Sequence, residues 1–304
     1  MAFKFLMPWQ QTYQGGNAND WVYSHSGNKR INLGEGDNFL LSLSGNNEAR
    51  SGSGDDTFMM MGGHQKIFST GGDNQVLTSW GDDFIKLGWG DDFVFSGAGN
   101  DYIEVGGGDD IVYSGIGDDW IHAKSGKNKV YSGFGDDQII FQSGKNYADA
   151  GAGNDFISGY LSTGDNEFYG GYGNDVLIGG YGLDDFNGGS GNDYLDGKEG
   201  HNVYRGGGGA DVFFLQLGAD HHHIKDFNSL AGDELVFGKD GVPCEFEGLK
   251  TTVSLLEGGL QLNGHGMMQG KKLTFSIQSQ FDFDGFHQSD DIFALEQVIL
   301  DKFG

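Results

Sequence analysis

Along residues 20–213 the apolar positions recur every nine residues, a period that fits neither an α-helix nor one long strand. Take the acidic or amide position of each unit as reference, from Asp20 to Asp155 and, after a two-residue insertion within residues 160–165, from Asn166 to Asp211. An apolar residue then stands two places later in all 22 units: Val22, Ile31, Leu40, Ala49, Phe58, Ile67, Val76, Ile85, Val94, Ile103, Val112, Ile121, Val130, Ile139, Ala148, Ile157, Phe168, Leu177, Phe186, Leu195, Tyr204 and Phe213. Two places before the reference stands glycine, with Ala18 the sole exception. The glycine-rich hexad reads as a tight turn, because it supplies backbone conformations that a Cβ forbids. The three residues after it alternate out, in, out, as a short strand does. Strand plus turn, repeated, winds a coil of two nonamers, and stacked coils lie roughly 4.8 Å apart. The predicted fold is therefore all-β, a right-handed parallel β-roll solenoid of about eleven 18-residue coils whose inward column is the core.

The outward columns carry a second pattern. One reads Tyr23, Leu41, Met59, Leu77, Phe95, Tyr113, Tyr131, Asp149, Tyr169. Such a stripe exceeds what a monomer normally exposes, which predicts burial under the chain's own N- or C-terminal region, or against a second copy or another partner. From Val242 onward, runs such as TTVSLLEGGLQLNG and KKLTFSIQ predict antiparallel strands capping the roll, and SDDIFALEQVILDKFG has apolar positions at helical spacing. The boundaries are a lead-in over 1–14, the roll over 15–214 and a C-terminal cap over 215–304.

Composition sharpens this. The 304 residues hold 18 Lys and Arg against 44 Asp and Glu, a formal charge of −26, with 57 Gly and one Cys. That excess repels nucleic-acid backbones and anionic lipid, and it destabilises any compact fold unless cations neutralise it. Bound metal is thus the first chemistry to seek. A single cysteine, Cys244, excludes a disulfide framework and reads as a buried, inert thiol. No Sec signal and no apolar run of membrane-helix length is present.

Units such as GAGNDYIEV, GIGDDWIHA and GFGDDQIIF resemble the GGxGxDxUx nonapeptide of the repeats-in-toxin family. The resemblance implies a calcium-loaded parallel β-roll. The segment GGGGADVFFLQLGADHHHIKDFNSLAGDELVFG is similar to the one that closes the roll in serralysin-type secreted proteins. By the same analogy, the last few dozen residues hold a signal for type I secretion, and the source is a Gram-negative bacterium that exports the chain to the cell surface or beyond.

Ca²⁺ takes six to eight hard oxygen ligands, which glycine-rich turns and Asp carboxylates supply. Alternate units share an edge of the roll. One edge runs Lys29, Asn47, Gln65, Asp83, Asp101, Asp119, Asp137, Asp155, Asp175, Asp193, Asp211. Its eight Asp rungs leave seven gaps, each expected to hold one ion between two carboxylates and nearby glycine carbonyls. The glycines are Gly81, Gly97 and Gly99, Gly115 and Gly117, Gly133 and Gly135, Gly151 and Gly153, Gly171 and Gly173, Gly189 and Gly191, Gly207 and Gly209. On the other edge only Asp92 and Asp110, with Gly88, Gly90, Gly106 and Gly108, are neighbours with good motifs, for about eight Ca²⁺ in all. The SGKN rungs at residues 125–128 and 143–146 replace Asp by Asn beside Lys127 or Lys145, which reads as an Asn ladder and Lys charges bridging coils without metal. Lys29, Asn47 and Gln65 mark the first three coils as largely metal-free on the edge they share with the Asp rungs. Asp220, Asp226 and Asp233 read first as turn formers and second as a further cation site, and His221 to His223 as a surface loop.

No HExxH, GxSxG or P-loop motif occurs, and a repeat that begins by about Gly15 leaves no room upstream for a catalytic domain. The expectation is a secreted, non-enzymatic calcium-binding protein with a structural, surface or adhesion role. The alternatives are the C-terminal folding and secretion module of a larger enzyme or toxin, and a small membrane-active effector.

Overall fold

The computed structural model describes residues 2–216, 221–228, 230–239, 242–243, 250–256, 259–268 and 271–279. Cys244, Asp220 and the helical spacing over residues 289–304 lie outside them. All described elements are β-strands, and the chain divides into two compact units, Met1–Ile157 and Ser158–Gly304.

In the first unit, strands alternate between two parallel sheets. One holds Ala2–Leu6, Asp20–Ser24, Phe39–Ser42, Thr57–Met60, Gln75–Leu77, Phe93–Ala98, Ile111–Ile116, Lys129–Phe134 and Tyr147–Ala152. The other runs from Thr12–Gln14 through Tyr102–Gly107 and Trp120–Ser125 to Phe156–Ser158. Successive strands of a sheet pair one full coil apart, as in Val94↔Val112 and Ile103↔Ile121. The second unit has the same winding, from Glu167–Tyr172 to Glu234–Lys239. The nine strand pairs of one unit and four of the other make about thirteen turns. That is two more than the repeats predict, because Ala2–Leu6 with Thr12–Gln14, and His221–Ile224 with Glu234–Lys239, wind as coils without the nonapeptide motif. Lys271–Ser279 pairs parallel with His221–Ile224, and Gly259–Met268 and Lys250–Leu256 follow antiparallel.

Every member of the inward column is at most 1% exposed. A second inward column holds buried hydroxyls: Thr78, Ser96, Ser114 and Ser132 each donate to the carbonyl one coil on, at 2.8–3.1 Å. Each hydroxyl is thereby satisfied inside the roll, which keeps the polar column compatible with burial.

Of the covers expected for the outward stripe, the structure rules out one. The N-terminal segment does not cover it; Ala2–Leu6 lengthens the same sheet in register with Asp20–Ser24 and adds Phe3 and Phe5, 64% and 56% exposed. Further along, Phe95 and Tyr113 remain exposed, and Tyr113 stacks on Tyr131 at 4.8 Å between ring centroids. Neighbouring rungs thus shield part of one another's apolar area and leave the rest to solvent.

Candidate metal centre

Each rung of the Asp edge sits in a turn that only glycine can form. Gly115 has φ +112°, and a Cβ there would collide with the carbonyl oxygen of Gly97 one coil back. Gly117, two residues before Asp119, has φ +130° and lies just as close to Gly99. This close stacking of backbone on backbone sets carbonyl oxygens and carboxylates in one row.

Asp83, Asp101, Asp119 and Asp137 are at most 2% exposed. One oxygen of each is spoken for: the backbone N–H of Asp83 donates to Oδ1 of Asp101, Asp101 to Asp119, Asp119 to Asp137 and Asp137 to Asp155, all at 2.8 Å. In the second unit the same bond links Asp175 to Asp193 at 2.8 Å and Asp193 to Asp211 at 2.9 Å. The other oxygen is not. Oδ2 of Asp83, Asp101, Asp119, Asp137, Asp193 and Asp211 is buried without a hydrogen-bond donor, as is Oδ2 of Asp56, Asp92 and Asp110 on the opposite edge. A buried acceptor left this way costs about 1–3 kcal/mol, and more when it is charged. Burial accordingly pushes the carboxyls up, to about 7 at Asp83, Asp119, Asp193 and Asp110 and to about 6 at Asp137 and Asp92. Like-charged neighbours add to it: Asp101 acts on Asp83, and both Asp101 and Asp137 act on Asp119. The neighbouring hydroxyls of Thr78, Ser114 and Ser132 lessen that penalty, and a proton or a cation removes it.

The amide rungs show which atoms the orphaned oxygens face. At Asn74 the side chain accepts a backbone N–H through Oδ1, as an Asp does, while its Nδ2 donates to the Gly72 carbonyl at 2.8 Å and to Asp92 at 2.9 Å. Asn38 does the same to Gly36 and Asp56. An Asp at such a rung puts an acceptor where Asn has its donor, oxygen against carbonyl oxygen. Gln65 fills a cradle more fully: its Nε2 donates to the carbonyls of Gly45, Gly62 and Gly63 at 2.8–3.0 Å. Asn47 bonds the Gly45 carbonyl and Gln65, and Lys29, 2% exposed, turns its ammonium onto the carbonyls of Met7 and Gln10. The first coils therefore place donor nitrogens at the rung positions where later coils place bare carboxylates.

Gln65 marks a point where carbonyls of two successive coils converge, and the Asp rungs offer the same turn geometry with two carboxylates per gap. Among the described residues no group of three or more His, Cys, Asp or Glu side chains comes together, so a cation held at these rungs would need further ligands from the backbone. An all-oxygen set mixing carboxylate and carbonyl suits a hard cation of calcium's size and not a zinc-type ion. Of the predicted glycines, Gly81, Gly99, Gly117 and Gly135 are the counterparts of the cradle glycine Gly63, whereas Gly97, Gly115, Gly133 and Gly151 lie within the strand ladder, paired with one another. On the opposite edge Asp92 accepts from Asn74 and gives its own N–H to Asp110, which in turn bonds Asn128. Gly90 and Gly108 there adopt φ of +133° and +141°, and Gly88 and Gly106 lie against the carbonyls of Thr70 and Gly88.

A second row of side chains lines each edge. Beside the buried rungs runs an exposed ladder bonded in the reverse sense: Asn100 N–H to Asp82, Asp118 to Asn100, Asp136 to Asp118, at 3.0–3.1 Å. On the other edge the N–H groups of Asp55, Asp73, Asp91, Asp109 and Lys127 bond Asp37, Asp55, Asp73, Asp91 and Asp109 in turn. Its sequence signal is the polar residue immediately before each reference position. The SGKN expectation holds for the amide, since Asn128 Nδ2 donates to Asn146 at 3.2 Å. It fails for the charges: Lys127 and Lys145 are exposed and form no ion pair among the described residues. In the tail, Asp226 caps the turn at Gly206 and Gly207, while Asp233 extends the ladder by accepting the Asp211 N–H at 3.1 Å. His221 to His223 form a strand and not a loop, with His222 fully buried and bonded to the Tyr204 hydroxyl at 2.8 Å.

Among curated proteins no match to the chain is found. The pattern of one family does match, in ten overlapping or adjoining stretches from 11–40 to 196–221 that together run across residues 11–221. A nonapeptide-wound parallel roll edged by buried carboxylates and matched over more than half its length identifies the chain as a member of the RTX calcium-binding nonapeptide repeat family.

Proposed function

We propose that the chain is a secreted, non-enzymatic protein whose Asp-edged coils fold on extracellular Ca²⁺ and whose exposed apolar face serves a structural, surface or adhesion role. The carrying observation is the row of buried Oδ2 atoms without donors. Bound Ca²⁺ supplies the positive charge that those oxygens and the facing carbonyls lack. Asp83 to Asp211 with their glycines, and Asp92 with Asp110, hold about eight ions, and the free energy of binding is then folding free energy. In a low-calcium cytosol the Asp rows repel one another and the chain stays extended for the type I machinery of a Gram-negative cell. The roll over 15–214 is the calcium-dependent part, and 215–304 is the cap with the export signal. Phe3, Phe5 and Trp21 prolong the stripe of Tyr23, Leu41, Met59, Leu77, Phe95, Tyr113 and Tyr131, which supports association of one copy with another.

A calcium titration followed by far-UV circular dichroism and light scattering tests this. The expected outcome is conversion from coil to β-structure at roughly 0.1–1 mM Ca²⁺, the range of extracellular calcium modules, with mass growing beyond one chain. A chain fully folded in chelator overturns the folding mechanism; a monomer at all calcium levels overturns the association.

A further inference from the structure

The polar run at His221 to His223 has no part in the calcium edges. In the strand His221–Ile224 the side chains alternate, so His222 is buried while His221 and His223 face outward. The neighbouring strand His201–Gly208 lies parallel in the register His201↔His221, and His201 is exposed on the same face. The two imidazole rings stand 6.2 Å apart between centroids, at an interplanar angle of 40°.

We propose that His201 and His221 form a surface site for a borderline transition-metal ion such as Zn²⁺, Cu²⁺ or Ni²⁺, chemically separate from the calcium rungs. A metal–nitrogen bond of about 2.0–2.1 Å plus the ring radius puts the centroids of two imidazoles on one ion roughly 5–6.5 Å apart, and the observed spacing falls inside that range, toward its wide-angle end. The partly buried His221 is held below the usual imidazole value, first by desolvation and then by the electrostatic effect of His201, which favours the neutral ring that a metal ion binds. Imidazole nitrogen favours these ions over Ca²⁺, whose preference is oxygen, so millimolar calcium does not compete for the site. Two protein ligands leave the remaining positions to water. The parallel register does what the sequence run cannot: adjacent histidines point to opposite faces, whereas a cross-strand pair from successive coils shares one.

The test uses the full chain folded in excess Ca²⁺. Zn²⁺ binding is measured by isothermal titration at pH 7.5, and Cu²⁺ by electron paramagnetic resonance. The expected result is one site of micromolar affinity with hyperfine coupling to two nitrogens. His201→Ala and His221→Ala each lower affinity at least tenfold, while His25→Ala, an exposed histidine of the first unit, leaves it unchanged. Circular dichroism confirms that each variant keeps its calcium-loaded fold. Absence of a stoichiometric site overturns the proposal, and so does unchanged affinity in His201→Ala, which would assign any binding to the consecutive histidines alone.

Discussion

Two stretches of one edge within the first unit solve the same problem with different atoms. At Lys29, Asn47 and Gln65 the turn carbonyls meet an ammonium and two amides. At Asp83, Asp101, Asp119 and Asp137 the same turn positions carry carboxylates, each with one oxygen that has no donor. Backbone winding and inward core are alike in both, with Ile31, Ala49 and Ile67 as buried as Ile85, Ile103 and Ile121. Apolar burial alone therefore does not distinguish them; the donor content of the turn does. The early coils carry their positive partner in the covalent chain, and the later ones require it from solution.

Removing calcium separates the two stretches most strongly. Hydrogen exchange in chelator is expected to strip protection from the amides of residues 84–157 while those of residues 30–68 keep a measurable share. Uniform loss along the unit would break the comparison. Next in size is pH. The Asp carboxyls have folded values of about 6 to 7 against 3.8 for an ordinary Asp, so the fold favours their protonated form. That support is complete below about pH 4 and is lost as pH rises through 6 to 7. In chelator the protein should thus melt at a higher temperature at pH 5 than at pH 8, while its affinity for Ca²⁺ is weaker at pH 5.

Single substitutions sharpen the contrast further. Gln65→Glu places an anion against the carbonyls of Gly45, Gly62 and Gly63, and should cost roughly 2 kcal/mol or more in chelator, recovered on adding calcium. Thermal melts with and without Ca²⁺ read both halves of that statement. The reverse exchange, Asp119→Asn, restores a donor and should raise calcium-free stability by about 1 kcal/mol. The same change lowers the number of ions bound, counted by equilibrium dialysis, at the two gaps flanking Asp119. An unchanged count would place the ions elsewhere.

The nine-residue period made the roll legible, because one column must be apolar and another must be glycine for coils to stack at all. The buried rungs were equally legible, since an Asp two residues after glycine recurs at one fixed phase of the coil. The two additional coils were not: around Ala2–Leu6 and His221–Ile224 the nonapeptide motif is absent, and only the strand register shows that they wind as coils. The exposed Asp82–Asn100–Asp118–Asp136 ladder was hidden for another reason. Polar residues before a turn are ordinary, and only the geometry shows that each accepts a backbone N–H from the next coil. The role of Gln65 as a nitrogen seated among three carbonyls needed coordinates as well, because glutamine signals nothing by itself.

The glycine contacts between coils impose a rule of phase on this gene. Since Gly115 rests on Gly97 and Gly133 on Gly115, the number of nonamers can change cleanly only by whole coils, two at a time. Deleting a single nonamer would transpose every downstream rung to the opposite edge, setting Asp beside Asn and scrambling both ladders at once. Tandem duplication by whole coils, by contrast, copies a carboxylate rung, its core residue and its glycine lock together. The molecule is thus editable like a strip with fixed perforations, and its length can drift in evolution without any rung needing to be reinvented.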